Sequence, residues 1–161
     1  NVGDFADVLF TIDINEYNNQ RTVQIIVRDI RLSDVTMQEL QAARERYRQI
    51  EAGEPILPDE DAVPGRDDFV AVYMLIKREL RMGRDALSHR ALLAKLRISE
   101  PPVNINYIKL KFIIKIMQEM NIIGIGEISD EVYEFKDINT KNKTDLEKSA
   151  VLRRLRGQAV R

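Results

Sequence analysis

Two hydrophobic periods divide this chain, and no single regular structure satisfies both. Val8, Phe10, Ile12 and Ile14 alternate with Leu9, Thr11 and Asp13, the period of two that belongs to a β-strand. Val23, Ile25, Ile26 and Val27 make a second β-branched run. Between the runs lies Glu16-Tyr17-Asn18-Asn19-Gln20, and asparagine tolerates the positive φ that a tight turn needs. Ala6 to Leu32 therefore predicts a β-hairpin. A lone hairpin is only marginally stable in water. This one is expected to pack on the helices that follow, on a missing sheet, or on both.

From Thr36 the period becomes helical. Thr36 and Glu39 have capping-box spacing, and Met37, Leu40, Tyr47 and Ile50 recur at helical intervals. Arg44, Arg46 and Arg48 alternate with Glu39, Glu45 and Glu51, the pattern of a solvated, ion-paired face. Gly53 to Gly65 holds Pro55, Pro58 and Pro64 among Glu54, Asp59, Glu60 and Asp61. Prolines block helix and like charges extend a chain, so residues 51–65 read as an acidic linker. It separates residues 1–50 from a second domain at 66–161.

The second domain opens with a helix capped by Asp67 or Asp68. Its stripe is Phe69, Val72, Tyr73, Ile76 and Leu80, and Gly83 ends it. Ser88 starts another helix, with Leu87 and Leu92 as a hydrophobic staple and His89 expected at the surface. A third helix spans about Asn106 to Met120, with Ile108, Phe112, Ile113, Ile116 and Met117 inward and Lys109, Lys111, Lys115 and Gln118 outward. Alternation returns at Glu131 to Phe135. Three helices and a hairpin in this order predict a winged-helix-like domain. Thr144 is expected to cap a last helix carrying Leu146, Leu152 and Leu155. The fold class is thus α+β.

Composition narrows function. The 161 residues are 44% apolar and 32% charged, with a net charge of −1, so a generic polyanion binder is excluded and nucleic-acid contact must be local. There is no cysteine and one histidine. That excludes disulfide scaffolds, thiolate metal sites and multi-histidine metal sites, and it fits a cytoplasmic protein. The longest apolar run falls far below the ~18 residues a membrane span needs. The chain begins at Asn1 and enters a strand almost at once, which suggests a piece of a longer protein.

Three groups of residues are candidates for single-stranded DNA. Tyr17, Arg21, Arg28 and Arg31 lie on the hairpin, where one aromatic with arginines could stack and hold a strand. Lys111 and Lys115 would meet phosphates if the third helix entered a groove. Arg153, Arg154 and Arg156 belong to the tail from Lys141 to Arg161, which carries seven cations against two acids, a net of +5. The wing opposes this, because Glu127, Asp130, Glu131, Glu134 and Asp137 would repel phosphates. A protein-contact role therefore stands beside the DNA role.

The hairpin residues also resemble a known family. Asp7, Phe10, Asn15, Tyr17, Gln24 and Asp29-Ile30-Arg31 resemble the end of the OB-fold of bacterial RecJ, a single-stranded-DNA-specific 5′→3′ exonuclease. Asn18-Asn19 stands where that family often carries glycine. Phe69 with Tyr73, Phe112, and Lys143-Thr144-Asp145-Leu146-Glu147-Lys148-Ser149 resemble, in the same order, the domain that follows the OB-fold in RecJ of Gram-positive relatives. The resemblance implies a DNA repair and recombination enzyme whose Mn²⁺ or Mg²⁺ is held by an upstream Asp-His-His core. No Asp-His-His string occurs here, so no catalytic residue, metal ligand or cofactor is assigned to this chain. The expected partners are single-stranded DNA, the upstream catalytic domains and, alternatively, a docked repair protein.

Overall fold

The computed structural model describes residues 6–17, 20–32, 37–129, 131–138 and 144–160. Two compact units share the chain, Asn1–Ala42 and Ala43–Arg161, and the division falls inside one helix. The architecture is α+β: an antiparallel hairpin, helices, and a small three-stranded sheet.

The first unit holds β1 (Ala6–Tyr17) and β2 (Gln20–Leu32). Their register sets Phe10 opposite Val27, Ile12 opposite Ile25 and Ile14 opposite Val23. Facing residues share a side of the ribbon. One side is thus apolar, and its members stay open: Ile12 is 65% exposed and Val23 71%. The other side carries Thr11, Asp13, Asn15, Thr22 and Gln24. A bulge between Leu9 and Phe10 shifts the register, and Arg28 Nε there donates to Thr11 Oγ1 at 2.9 Å.

The second unit starts within α1 (Met37–Ala52) and continues through α2 (Arg66–Arg81), β3 (Ala86–Ser88), α3 (His89–Arg97) and α4 (Tyr107–Glu119). Then come β4 (Gly124–Ser129), β5 (Val132–Lys136), a 3₁₀ turn at Leu146–Lys148 and α5 (Ala150–Gln158). The strand order is β3-β5-β4. Helix caps follow local chemistry: Ser88 Oγ accepts from Ala91 N–H at 3.1 Å and Asn106 Oδ1 from Lys109 N–H at 2.8 Å. Gly83 closes α2 at φ +72°, a conformation glycine adopts without Cβ strain.

α4 is the centre of this unit. Leu110, Phe112, Ile113 and Ile116 are fully buried, and Ile114 is nearly so. A helix that is apolar on nearly every side belongs inside a core. Lys109, expected on the outer side, is buried as well, with Nζ 2.6 Å from Asp61 and 3.5 Å from Asp68.

Residues 51–65 are not an extended linker. Ile56 and Ala62 lie in the core, and Ile56 pairs with the chain end through Ile56 N–H to Gln158 O and Val160 N–H to Ile56 O, both 2.9 Å. The acids that were expected to repel each other meet cations instead. Arg46 grips Glu60 and Glu54, and Asn106 Nδ2 donates to the Glu60 and Asp61 carbonyls. Paired carboxylates have no reason to extend the chain.

Two further expectations change, and one strand was not expected. α2 is capped at Gly65, whose N–H donates to Asp68 Oδ2 at 2.8 Å, rather than by Asp67 or Asp68 as first cap residue. α5 is capped by Ser149, not Thr144, and the Glu119 carboxylate accepts from Ser149 Oγ and from Ala150 N–H. An anion at a helix N-terminus is favoured by the helix dipole. β3 escaped the sequence pattern because three residues are too few to display a period. Thr36, Asn18, Asn19, Asp130, Lys141, Lys143 and Arg161 lie outside the described residues.

Candidate nucleic-acid interface

Each expected contact residue has a definite place. Tyr17 and Arg31 sit in β1 and β2, opposite Gln20 and Asp7, and their side chains lie outside the described residues. Arg21 forms an exposed cross-strand ion pair with Glu16, a contact of small worth in water. Arg28 is held at the bulge by Thr11. These hairpin residues share one ribbon, but Arg21 and Arg28 are on its opposite sides.

The cations of the second unit mostly meet acids within the unit. Lys115 pairs with Glu51. Arg154 donates to the Glu51 carbonyl at 2.9 Å and lies 3.7 Å from its carboxylate. Arg156 pairs with Glu147. Arg153 is exposed, with Nε reaching the Ser149 carbonyl at 3.4 Å. Lys111 is mostly buried, 4.0 Å from Glu131 and 5.4 Å above the Tyr133 ring, a cation–π geometry. Of the tail's described arginines, Arg154 and Arg156 meet carboxylates and Arg153 meets a carbonyl.

Two polar clusters escaped sequence reading. The first surrounds Glu131, at the turn between β4 and β5. Its carboxylate accepts from Arg44 Nε at 2.8 Å and from the Tyr107 hydroxyl. Burial pushes the Glu131 carboxyl up, but the Arg44 and Tyr107 hydrogen bonds outweigh it and hold the group below the usual range. Burial and the neighbouring carboxylate raise Tyr107, and burial raises Tyr133.

His89 belongs to this cluster and is 1% exposed, against the expectation of a surface residue. β3 pairs with β5 just before α3 begins, which draws the helix start inward, and His89 N–H donates to the Glu131 carbonyl at 2.7 Å. The ring packs edge-on to Tyr107 at 4.5 Å. Its Nε2 donates to the Tyr107 carbonyl at 3.1 Å. Burial, with help from the Lys111 cation, lowers its pKa to about 3, so the ring is neutral at pH 7. The cluster is a structural lock on the α3–α4–β5 corner.

The second cluster surrounds Glu79 on α2, which is 1% exposed. Arg84 Nε lies 2.8 Å away, Lys95 Nζ 3.2 Å and Arg78 Nε 3.7 Å. A sequence signal existed here. Glu79 continues the Val72-Ile76 spacing of the apolar stripe, and a carboxylate placed on a buried face demands cationic partners.

Comparison with protein families, curated proteins and solved structures finds no match for this chain. Among the described residues, no helix is long and apolar enough to cross a membrane.

Proposed function

We propose that this chain is the C-terminal accessory region of a RecJ-like exonuclease, and that it holds single-stranded DNA for catalytic domains elsewhere in the same protein. The observation that carries the reading is the hairpin's open apolar side. Val8, Phe10, Ile12, Ile14, Val23, Ile25 and Val27 are all at least 44% exposed. A contiguous face of that kind marks an interaction surface. Two strands cannot bury it alone, so a further strand or helix is needed to cover it. The end of an OB-fold, the element that the hairpin residues resemble, would have this need, and OB-folds bind single strands.

The order α2, β3, α3, α4, β4, β5 and the strand order β3-β5-β4 support a winged-helix framework for the second unit. Its third helix, α4, is enclosed by the core, so major-groove reading of a duplex is disfavoured. Backbone contact with a single strand suits it better. A protein-docking role is the second reading, and the internal pairing of Lys115, Arg154 and Arg156 favours it.

The metal of a RecJ-like enzyme belongs to the upstream core in this reading. The one histidine here is buried with Nε2 committed to a carbonyl, and does not fit a metal site. The isolated chain should not degrade single-stranded DNA with Mn²⁺ present, as gel analysis of a labelled oligonucleotide will show.

Fluorescence anisotropy of labelled single-stranded and duplex oligonucleotides at two salt concentrations tests the binding role. Micromolar affinity that prefers single strands and weakens with salt is expected. Arg21→Glu with Arg28→Glu should weaken it several-fold, with a shallower salt dependence. No binding at low salt would exclude the DNA role and leave protein docking.

A further inference from the structure

We infer that the cationic corner around Glu79, where the end of α2 meets α3, is a binding site for the phosphodiester backbone of a single strand. The inference rests on the reading above and names a contact surface that the candidate residues did not include.

Residues 77–97 carry Lys77, Arg78, Arg81, Arg84, Arg90, Lys95 and Arg97 against Glu79 and Asp85, a net of +5. The fold gathers part of this charge at one point. Gly83 turns the chain at φ +72°, and Arg84 N–H returns to the Glu79 carbonyl at 3.0 Å. Arg84 thereby reaches the same carboxylate as Arg78 from α2 and Lys95 from α3. One negative charge faces three positive ones, and Glu79 is buried while Arg78 and Arg84 are about half exposed. The surplus charge therefore stands at the surface.

The geometry suits phosphate. Both arginines approach Glu79 through Nε, and both side chains stay about half exposed. One Nη of Arg84 touches Met82 Sδ, a weak acceptor. Planar guanidinium ends bind phosphate oxygens in pairs, and an anchoring carboxylate reduces the side-chain entropy lost on binding. Arg81 is exposed one turn along α2 from Arg78 and has no acidic partner among the described residues. Glu79 faces three cations, and Asp85 is the one other acid in residues 77–97. In the tail, Arg156 has Glu147 to itself, and Arg154 shares Glu51 with Lys115 alone.

The test is anisotropy of a labelled single-stranded oligothymidine with the whole 161-residue chain, at several salt concentrations. Arg81→Glu alone leaves the Glu79 contacts intact and is expected to weaken binding about threefold. Arg81→Glu with Arg84→Gln is expected to weaken it about tenfold and to make the salt slope shallower by about one per lost phosphate contact. Thermal unfolding confirms that each variant folds. If the wild type binds and both variants keep its affinity and salt slope, the inference is overturned while the DNA-holding role stands. If the wild type does not bind at low salt, both fall.

Discussion

Acidification from pH 6.5 to pH 5 is expected to destabilise the folded protein, and His89 is the main cause. Its unfolded value is the ordinary 6.5, and burial lowers the folded value to about 3. Above 6.5 the ring is neutral in both states and costs nothing. Below 6.5 the unfolded chain gains a proton that the folded protein refuses, so stability falls as pH falls. The slope approaches about 1.4 kcal/mol per pH unit once the unfolded histidine is mostly protonated.

The groups around the ring enforce this. Lys111 and Arg44 oppose a positive imidazolium, and Glu131 alone among its charged neighbours favours one. Glu131, Glu60 and Glu119 are held below their ordinary 4.5. Their contribution is present above 4.5 and is lost only below it, so the window from 6.5 to 5 isolates the histidine. Urea unfolding at pH 7, 6 and 5 measures the effect. His89→Phe keeps a ring against Tyr107 and should flatten the dependence. Equal slopes for wild type and variant in that window would show that His89 is not the cause.

Phe112→Ala should remove about 3–5 kcal/mol of stability. Phe112 has no exposed surface, lies on the central helix, and meets the Tyr47 ring at a centroid distance of 4.8 Å. Small domains hold only about 5–15 kcal/mol in total, so the variant should lie close to unfolding at room temperature. The neighbouring position gives the contrast. Lys111→Gln loses one cation–π contact and one distant ion pair, and should cost about 1 kcal/mol or less. Urea midpoints of the two variants measure both. Near-equal costs would mean that α4 is a surface helix after all, and would return it to contention for groove reading.

Local pattern made much of the fold legible. The alternation of Val8, Phe10, Ile12 and Ile14 announced the hairpin, and the Phe69-Val72-Ile76 stripe announced α2. Ser88, Asn106 and Gly83 marked helix ends by chemistry that acts within three or four residues. The errors have a common origin in contacts distant along the chain. Acidic residues at 54–61 read as repulsive because Arg46, Asn106 and Lys109 were not known to face them. His89 read as exposed because a strand of three residues is too short to show a period, so its pairing with β5 was not visible.

The candidate site divides the same way. The tail and residues 77–97 carry the same net charge in the sequence, +5 each. Only the tertiary structure separates them, by pairing Arg156 with Glu147 and Arg154, beside Lys115, with Glu51, and by making Arg78, Arg84 and Lys95 share one carboxylate. By itself, then, the sequence determined most of the strand and helix segments, where most helices stop, and that the hairpin has an apolar side to cover. Those properties depend on neighbours a few residues away. Which charges are spent inside the fold, and which remain at the surface, was decided by tertiary structure alone. A charge is neutralised by whatever lies within a few ångströms, and sequence distance does not record that separation.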